Sequence, residues 1–287
     1  MTEPFMVSLS NHEHERGTFP RAQMTSPYYK QHWIDIDDSR FAAYDTLLQY
    51  HPRMAPLLDP LDLLPGLSVL DVGSGPGYTA LELGRRVGAD GHVIGVDINE
   101  TFVARANQRA QEQGLLQVGF QKAAFPPLPF ADGTFDRVFC KNVLEYVDSA
   151  EATVKEIARV TKPGGKVLLI DSDWDMLALD VSDEALHDRI LRAVKTTATR
   201  EPRIGRKLPH TCKAAGLSEI TVKIFANPDL NGWAMPMLEH SLYQYATVSG
   251  EVNQAEADTW LSDIKVRVQS GDYFFCLPQF VVSASKQ

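Results

Sequence analysis

One short segment limits the fold of this chain more than any other, and it reads LDVGSGPGYT over residues 70–79. An apolar run ends at Asp71, and Gly73, Gly75 and Gly77 follow at alternating positions. Glycines spaced this closely permit backbone conformations that side chains disfavour, and they let the backbone approach a ligand. The segment therefore predicts a buried strand that ends in a ligand-binding turn.

Apolar runs and helical segments alternate along the chain on both sides of this turn. Five strands are predicted by the runs LSVLDVG, GHVIGVDIN, LQVGFQKA, TFDRVFCKN and KVLLIDSDW. Near-continuous apolar strands that alternate with helices indicate an α/β protein with a mostly parallel sheet and helices on both faces. A sixth strand is predicted by SEITVKIFA and a seventh by DYFFCLPQFVVSASK. We expect the last strand to be antiparallel and to lie at or beside an edge of the sheet.

Regions outside the alternating pattern suggest how the chain is organised. Residues 1–25 show little periodicity and predict a mobile tail. Residues 26–62 are rich in aromatic residues, are broken by prolines and predict an N-terminal helical cap. Residues 63–287 form the predicted main domain, with a helical insertion at about 229–270 before the last strand.

Charge and composition exclude several classes of partner. The formal net charge is −9, whereas nucleic-acid binding usually requires a basic surface. No apolar run reaches the length of a membrane span, and the first residues lack the basic-then-apolar order of a signal peptide. The three cysteines suggest neither a disulfide framework nor a zinc site. We therefore expect a cytoplasmic monomer or homodimer that acts on a small molecule, without nucleic-acid or membrane partners.

The spacing of the glycines distinguishes between ligands of the turn. Dinucleotide-binding turns follow G-x-G-x-x-G, whereas this chain has Gly73-x-Gly75-x-Gly77 and no phosphate loop of the G-x-x-x-x-G-K-[ST] type. Asp97 ends the second predicted strand. A carboxylate at that position accepts hydrogen bonds from ribose hydroxyls in related sheets. The ligand is therefore predicted to contain a ribose.

Four ordered motifs extend this interpretation from about Leu63 to Asp173. They read VLDVGSGPGYTALEL, VIGVDIN, LPFADGTFDRVFCKNVLEYV and EIARVTKPGGKVLLID. With them the sequence resembles the class I S-adenosylmethionine-dependent methyltransferases, in the small-molecule branch that includes quinone-biosynthesis enzymes. The resemblance implies a Rossmann-like fold, S-adenosyl-L-methionine as cofactor and methyl transfer as the reaction.

The resemblance also implies where the cofactor binds. Asp97 would bind the ribose, Asp71 the amino group, and Ile98 and Phe102 would flank the adenine. The full implied set is Asp71, Gly73, Ser74, Gly75, Gly77, Asp97, Ile98, Phe102, Ala124, Phe125, Lys141 and Asn142.

One position departs from the family pattern. Related proteins often carry an acid or amide where this chain has Ala124, and that side chain meets the adenine amino group. Ala124 cannot accept this hydrogen bond, so we expect stacking, water or backbone groups at Ala124 and Phe125 to hold the adenine. The loss of one net hydrogen bond costs about 1 kcal/mol.

The methyl acceptor is constrained by motifs that the chain lacks. Enzymes that methylate amino groups of adenine, cytosine or glutamine carry Asn/Asp-Pro-Pro-Tyr/Phe after the fourth strand, where this chain has CKNV. Metal-dependent catechol enzymes carry metal ligands where Cys140, Lys141 and Asp171-Ser172 stand here. We therefore predict no metal site.

Aromatic residues of the cap and the insertion predict a small acceptor that is aromatic or largely apolar, such as a natural-product intermediate. The predicted acceptor-binding residues are Tyr28, Trp33, Tyr44, Asp173, Trp174, Trp233, Met237 and Tyr243. No catalytic residue is assigned, and the candidates for a base or an orienting group are Tyr28, His32, Asp173 and His240, with His51 and His210 behind them. The accepting atom is left open between carbon, nitrogen and oxygen. Methylation of a protein or RNA, a catalytically inactive partner subunit and a nicotinamide-dependent oxidoreductase are the alternatives.

Overall fold

The computed structural model of the protein describes residues 28–287, the side chain of Ser39 excepted. The predicted mobile tail, residues 1–25, and the first two residues of the predicted cap lie outside the described residues. Short helices fill residues 28–61: α1 (Tyr28–Ile34), α2 (Asp38–Leu47), a 3-10 turn (Pro52–Met54), α3 (Ala55–Leu58) and a second 3-10 turn (Asp59–Leu61).

Strands and helices alternate from residue 68 onwards, as the apolar runs predict. The strands are β1 (Ser68–Val72), β2 (His92–Asp97), β3 (Val118–Lys122), β4 (Phe135–Lys141), β5 (Thr161–Ser172), β6 (Ala178–Leu179), β7 (Leu217–Phe225), β8 (Phe275–Cys276) and β9 (Gln279–Lys286). The helices are α4 (Tyr78–Val87), α5 (Glu100–Glu112), α6 (Ala150–Val160), α7 (Glu184–Ala193), α8 (Ile204–Ala214), α9 (Met235–Met237), α10 (Tyr243–Ser249) and α11 (Gln254–Ser270). A 3-10 turn (Trp174–Met176) and two π-helical segments (Val194–Ala198 and Leu238–Leu242) complete the list.

Seven strands form one sheet in the order β3-β2-β1-β4-β5-β9-β7. Strands β1 to β5 are parallel, and β9 runs antiparallel to both β5 and β7. The predicted mostly parallel seven-stranded sheet is therefore confirmed, with its antiparallel strand beside the edge strand β7. Strands β6 and β8 form a separate two-stranded sheet.

Both faces of the large sheet are buried, because successive strand residues enter different cores. In β5, Val167 and Leu169 pack into one core and Leu168 and Ile170 into the other. Each buried aliphatic side chain stabilises the fold by about 1.5–3 kcal/mol. This two-sided burial explains why the strands read as continuous apolar runs rather than as alternating ones.

The helices after β5 build a third apolar core of their own. Trp174, Trp260 and Tyr245 are buried in it, with residues of α7, α10, α11 and β8 around them. α11 begins with a reciprocal capping box between Asn253 and Glu256, which satisfies backbone donors at the helix start. The predicted helical insertion is therefore a packed unit, and its inner side meets the cap.

Candidate cofactor and acceptor cavity

A cavity of about 680 Å³ opens over the carboxyl ends of the central strands. Asp71, Asp97, Lys141 and Ser172, at the ends of β1, β2, β4 and β5, all line it. β1 and β4 are neighbours in the sheet although β2 and β3 lie between them in sequence. This reversal of strand order creates the crevice in which open α/β sheets bind ligands.

The glycine turn after β1 forms the floor of one end of the cavity. Gly73 has a φ of +72° and Gly75 a φ of +51°, values that favour glycine. A Cβ atom on Gly73 would lie 2.2 Å from Cγ2 of Val143, so no side chain fits there. The buried Ser74 hydroxyl has no hydrogen-bond partner among the described residues. The turn thus places backbone at the cavity, with an unused hydroxyl group buried beside it.

Asp97 joins this turn to the start of α5. Its Oδ2 accepts a hydrogen bond from the Gly75 amide at 2.7 Å, and its Oδ1 accepts one from the Asn99 amide at 2.9 Å. Burial raises the pKa of the Asp97 carboxyl, whereas the amides of Asn99, Gly75 and Ile98 oppose the rise because they favour the charged form. The carboxylate is therefore held rigidly at the cavity wall.

Asp71 is the second buried carboxylate on this side. Burial, followed by the charge of Asp97, raises the pKa of Asp71 to about 7, and Lys141 acts in the opposite direction. Its Oδ2 is buried without a hydrogen-bond partner among residues 28–287. An unsatisfied buried carboxyl is costly, and a cationic ligand group would remove that cost.

Two further carboxyl groups lie behind the end of β4, and neither was predicted from the sequence to belong to the site. Asp171 accepts hydrogen bonds from the amides of Leu144 and Ser172, both at 2.9 Å, and burial raises its pKa to about 7. Glu145 accepts a hydrogen bond from the Trp174 indole, and burial raises its pKa well above the usual value. Glu145 lies four residues after the end of β4, and this position near a strand end is the sequence signal that could have identified it.

Aromatic rings enclose the other end of the cavity. The Trp33 ring centroid lies 4.9 Å from that of Tyr44 and 5.1 Å from that of Tyr146. The remaining aromatic wall comes from the chain after β5 and consists of Trp174, Phe225, Trp233, Tyr245 and Phe275. The cap and the insertion, which are far apart in sequence, therefore face each other across one apolar space.

Most of the implied cofactor residues lie together in the cavity wall. Those that line it are Asp71, Gly73, Ser74, Gly75, Asp97, Ile98, Phe102, Phe125, Lys141 and Asn142. Gly77 and Ala124 do not line it. A Cβ atom on Gly77 would lie 2.6 Å from Cβ of Ala106, so this glycine permits close packing between α4 and α5.

The structure separates the predicted acceptor-binding residues into two groups. Trp33, Tyr44, Trp174, Trp233 and Met237 line the cavity. Tyr28, Asp173 and Tyr243 lie outside its wall. Each of these three is engaged elsewhere, since Tyr28 stacks on His32, Asp173 pairs with Arg206, and Tyr243 donates a hydrogen bond to Asp258.

The candidate catalytic bases lie mostly outside the cavity wall. His32 lies behind the wall, and burial, followed by the charge of Arg40, lowers its pKa to about 3. His210 and His240 also lie outside the wall, whereas the exposed His51 lines it. Because the structure brings none of the four primary candidates into the wall, their catalytic roles stay predictions.

Asp229 fixes the start of the insertion beside the cavity. It is fully buried, and its carboxylate accepts hydrogen bonds from the amides of Asn231, Gly232 and Ala234 at 2.7–2.9 Å. We expect Asp229→Ala to lower the free energy of unfolding by about 3 kcal/mol, because one buried and two partly buried amides lose a charged acceptor. Urea denaturation measures this change. Asp272→Ala at an exposed site is the control, and an equal effect of both substitutions would contradict the anchoring role.

Comparison with known proteins agrees with this geometry. The family described as "Methyltransferase domain" matches residues 70–169. This segment of the chain is similar to a methyltransferase domain. The solved structure of the YcgJ protein from Bacillus subtilis has a TM-score of 0.59 and 21% identity, and covers 83% of this chain and 99% of that one. At this identity the likeness shows the fold.

Two curated relatives align with this chain over different lengths. An uncharacterized 37.1 kDa protein in transposon TN4556 of Streptomyces fradiae is 28% identical over 232 residues, which are 79% of this chain and 65% of that protein. The ubiquinone/menaquinone biosynthesis C-methyltransferase of Idiomarina loihiensis is 34% identical over 107 residues, 37% of this chain and 43% of that enzyme. The chain thus spans between two fifths and two thirds of their length. The predicted resemblance to methyltransferases of the quinone-biosynthesis type is confirmed.

The residues present fit S-adenosylmethionine as cofactor. Hydrogen-bond partners are missing in the described part of the chain for three buried polar atoms, Asp71 Oδ2, Ser74 Oγ and Asn142 Oδ1. Their residues line the same end of the cavity.

In residues 28–287, no group of three or more histidine, cysteine or acidic side chains is arranged to hold a metal ion. Within the same residues, no helix is long and apolar enough to cross a membrane.

Proposed function

We propose that the protein transfers a methyl group from S-adenosylmethionine to a small acceptor that is aromatic or largely apolar. One observation carries the proposal: a single cavity joins the glycine turn and Asp97 at one end to an aromatic enclosure at the other. A cavity of about 680 Å³ is within the usual range for small-molecule sites, and its enclosure favours a metabolite over a protein or RNA. Cytoplasmic location and a monomeric or dimeric state stay predictions.

The residues at the turn have distinct roles in this proposal. Asp97 accepts hydrogen bonds from the ribose hydroxyls, and Asp71 binds the ammonium group. Ile98, Phe102 and Phe125 flank the adenine, while the backbone at Gly73 and Gly75 follows the chain of the cofactor closely. The bound cofactor supplies a methyl group activated by a positively charged sulfur.

The aromatic end aligns the acceptor and excludes water. Trp33 and Tyr146 close the cavity on the cap side, and Trp174 is fixed by its hydrogen bond to Glu145. Alignment of two reactants supplies several kcal/mol of a displacement barrier, so a rigid wall contributes directly to rate. A base is required only where the acceptor is not already nucleophilic.

Binding and turnover test the proposal separately. Calorimetry with S-adenosylmethionine and with the oxidised nicotinamide dinucleotide should show binding of the first only. Incubation with labelled cofactor and a metabolite extract should then give a labelled small molecule that mass spectrometry identifies. Binding of the dinucleotide alone, or label found only in protein or RNA, would refute the proposal.

The pKa of Asp71 predicts a pH-dependent affinity for the cofactor. Burial raises the pKa of its carboxyl to about 7, and only the ionised form attracts the ammonium group. The affinity for S-adenosylmethionine should therefore rise by up to about tenfold between pH 6 and pH 8, because the carboxyl loses its proton as the pH passes through 7. Calorimetry across this range measures the change. Asp71→Asn should bind more weakly and without the pH dependence, and an equal slope in both proteins would contradict the assignment.

We also propose that the reaction is independent of metals, because Cys140 and Lys141 occupy positions where metal-dependent relatives carry ligands. Turnover should be unchanged after incubation with a chelator such as EDTA. Activity that is lost in EDTA and restored by magnesium would overturn this prediction.

A further inference from the structure

A buried arginine stands directly behind the aromatic wall. Arg40 of α2 is 1% exposed, and its guanidinium carbon lies 5.7 Å from the centroid of the Tyr44 ring. Its guanidinium hydrogen-bonds the Tyr44 side chain, and its backbone amide donates to the Asp37 carboxylate, but its Nε and Nη2 have no hydrogen-bond partner among the described residues. A buried charge without a partner destabilises a protein by several kcal/mol. Arg40 therefore places an incompletely paired positive charge behind Tyr44, which lines the cavity.

Beside Arg40, three hydroxyl groups meet within the wall of the cavity. The Tyr44 hydroxyl lies 2.8 Å from Oγ of Ser241 and 3.3 Å from the Tyr245 hydroxyl, and all three residues line the cavity. We name Tyr44, Ser241 and Tyr245 the hydroxyl cluster. Two hydrogen bonds within the cluster use two of its three hydrogens, so one O–H group remains available to donate.

The surroundings of the hydroxyl cluster contain unused donors rather than unused anions. The Trp33 indole Nε1, on a ring that packs against Tyr44, is buried without a partner among the described residues. His32, which packs 5.0 Å from the Tyr245 ring, is neutral because burial, followed by the charge of Arg40, lowers its pKa to about 3. Two nitrogens of the Arg40 guanidinium, Nε and Nη2, therefore remain unused within the described part of the chain.

We propose that the hydroxyl cluster, backed by Arg40, binds an anionic oxygen of the methyl acceptor, as in a carboxylate or an ionised phenol. The oxygen accepts hydrogen bonds from the cluster, and the Arg40 charge stabilises it across the Tyr44 ring. A quaternary or primary ammonium group is disfavoured at this position by the same charge. The inference rests on the proposed function and specifies the class of acceptor.

Three naphthalene probes of matched size test the charge preference. Calorimetry with protein saturated in S-adenosylhomocysteine compares 1-naphthoate, 1-naphthamide and 1-naphthylmethylammonium. Native protein should bind the carboxylate at least about tenfold more tightly than the amide, the usual gain from a charge-assisted hydrogen bond. Equal affinity for acid and amide, tighter binding of the ammonium, or no binding of the carboxylate would overturn the inference.

Variants assign the preference to these residues. Arg40→Met and Tyr245→Phe should each remove most of the difference between acid and amide, whereas Arg40→Lys should keep part of it. Lys30→Met is the matched control, because Lys30 is a cation of the cavity wall that already pairs with Asp148 at 2.8 Å. If Arg40→Met fails to fold, the binding of the acid and amide probes to Tyr245→Phe tests the proposed site. A preference that survives Tyr245→Phe, or that Lys30→Met abolishes, would contradict the proposed site.

Failure of the inference and failure of the proposed function give different results. Protein that does not bind S-adenosylhomocysteine refutes the proposed function itself. If the protein binds S-adenosylhomocysteine but shows no preference among the three probes, the proposal of methyl transfer stands and only the proposal of an anionic acceptor is refuted.

Discussion

Asp97→Ala is expected to weaken binding of S-adenosylmethionine by about 1.5–3 kcal/mol, which is roughly 10- to 100-fold in Kd. The expectation comes from two losses that act together. The substitution removes the carboxylate proposed to bind the ribose, and it removes the acceptor of the Gly75 and Asn99 amides. The turn therefore loses its support on the side where it meets the cofactor. Calorimetric titration with S-adenosylmethionine measures the change.

Two further variants separate the ribose contact from damage to the turn. Asp97→Asn keeps one oxygen acceptor of nearly the same shape, so it should keep one of the two amide contacts and bind the cofactor less tightly than native protein but more tightly than Asp97→Ala. Asp90→Ala, at an exposed position before β2, should bind the cofactor as tightly as native protein. If Asp97→Ala bound within twofold of the native affinity, the ribose assignment would be wrong.

The part of the site that was predictable from sequence lies within short stretches of chain. Asp71, Gly73 and Gly75 belong to one strand and its turn, and Asp97 ends the next strand. Parallel strands bring their carboxyl ends to one edge of a sheet, so adjacent motifs predict adjacent atoms. Two-sided burial of β1 and β5 leaves a strong apolar signal in the sequence, and the predicted sheet followed from it.

The acceptor end was not predictable in the same way. Tyr44 and Tyr245 are 201 residues apart, and their hydroxyl contact depends on how α2 packs against the insertion. No local pattern encodes that packing. Sequence spacing identified Tyr28 and Tyr243 as readily as Tyr44, although only Tyr44 faces the cavity. Arg40 had no signal at all, because an arginine in a short helical segment usually lies in solvent.

The last predicted strand is a second case in which pairing with a distant part of the chain could not be predicted from the sequence. The run DYFFCLPQFVVSASK predicts one strand, and the structure divides it into β8 and β9. Pro278 lies at the division and lacks an amide hydrogen, so it interrupts sheet pairing. β8 pairs instead with β6, about 100 residues earlier, and this distant partner leaves no pattern in the run itself.

A chain that begins at residue 35, and so lacks α1, is expected to fold but to lose most of its turnover, about 100-fold or more. α1 contributes only a peripheral residue, Tyr28, to the apolar cores of the protein. It does contribute Trp33 to the cavity wall and the buried His32 behind it. Without α1 the aromatic end opens to water, and the alignment that drives a displacement is lost.

Asn99 connects α1 to the cofactor end of the cavity. Its side-chain amide donates to the carbonyls of Trp33 and Ile34 at 2.9 and 3.3 Å, while its backbone amide donates to Asp97. Its Oδ1 also caps α5 by accepting from the Phe102 amide. Binding of the cofactor at Asp97 is therefore expected to order α1. Asn99→Ser keeps a cap for α5 but removes the amide donors, so it should reduce this coupling and leave the fold intact.

Hydrogen exchange and turnover together decide whether α1 closes the site. Exchange in residues 28–34 should slow when cofactor and acceptor bind to native protein, and it should slow less in Asn99→Ser. A chain that begins at residue 26 is the matched control and should keep native turnover, measured with the acceptor found in the labelling experiment. If the chain from residue 35 turned over at the native rate, or if exchange in α1 ignored both ligands, α1 would act only in packing. The acceptor would then be held by Trp174, Trp233 and the strand ends alone.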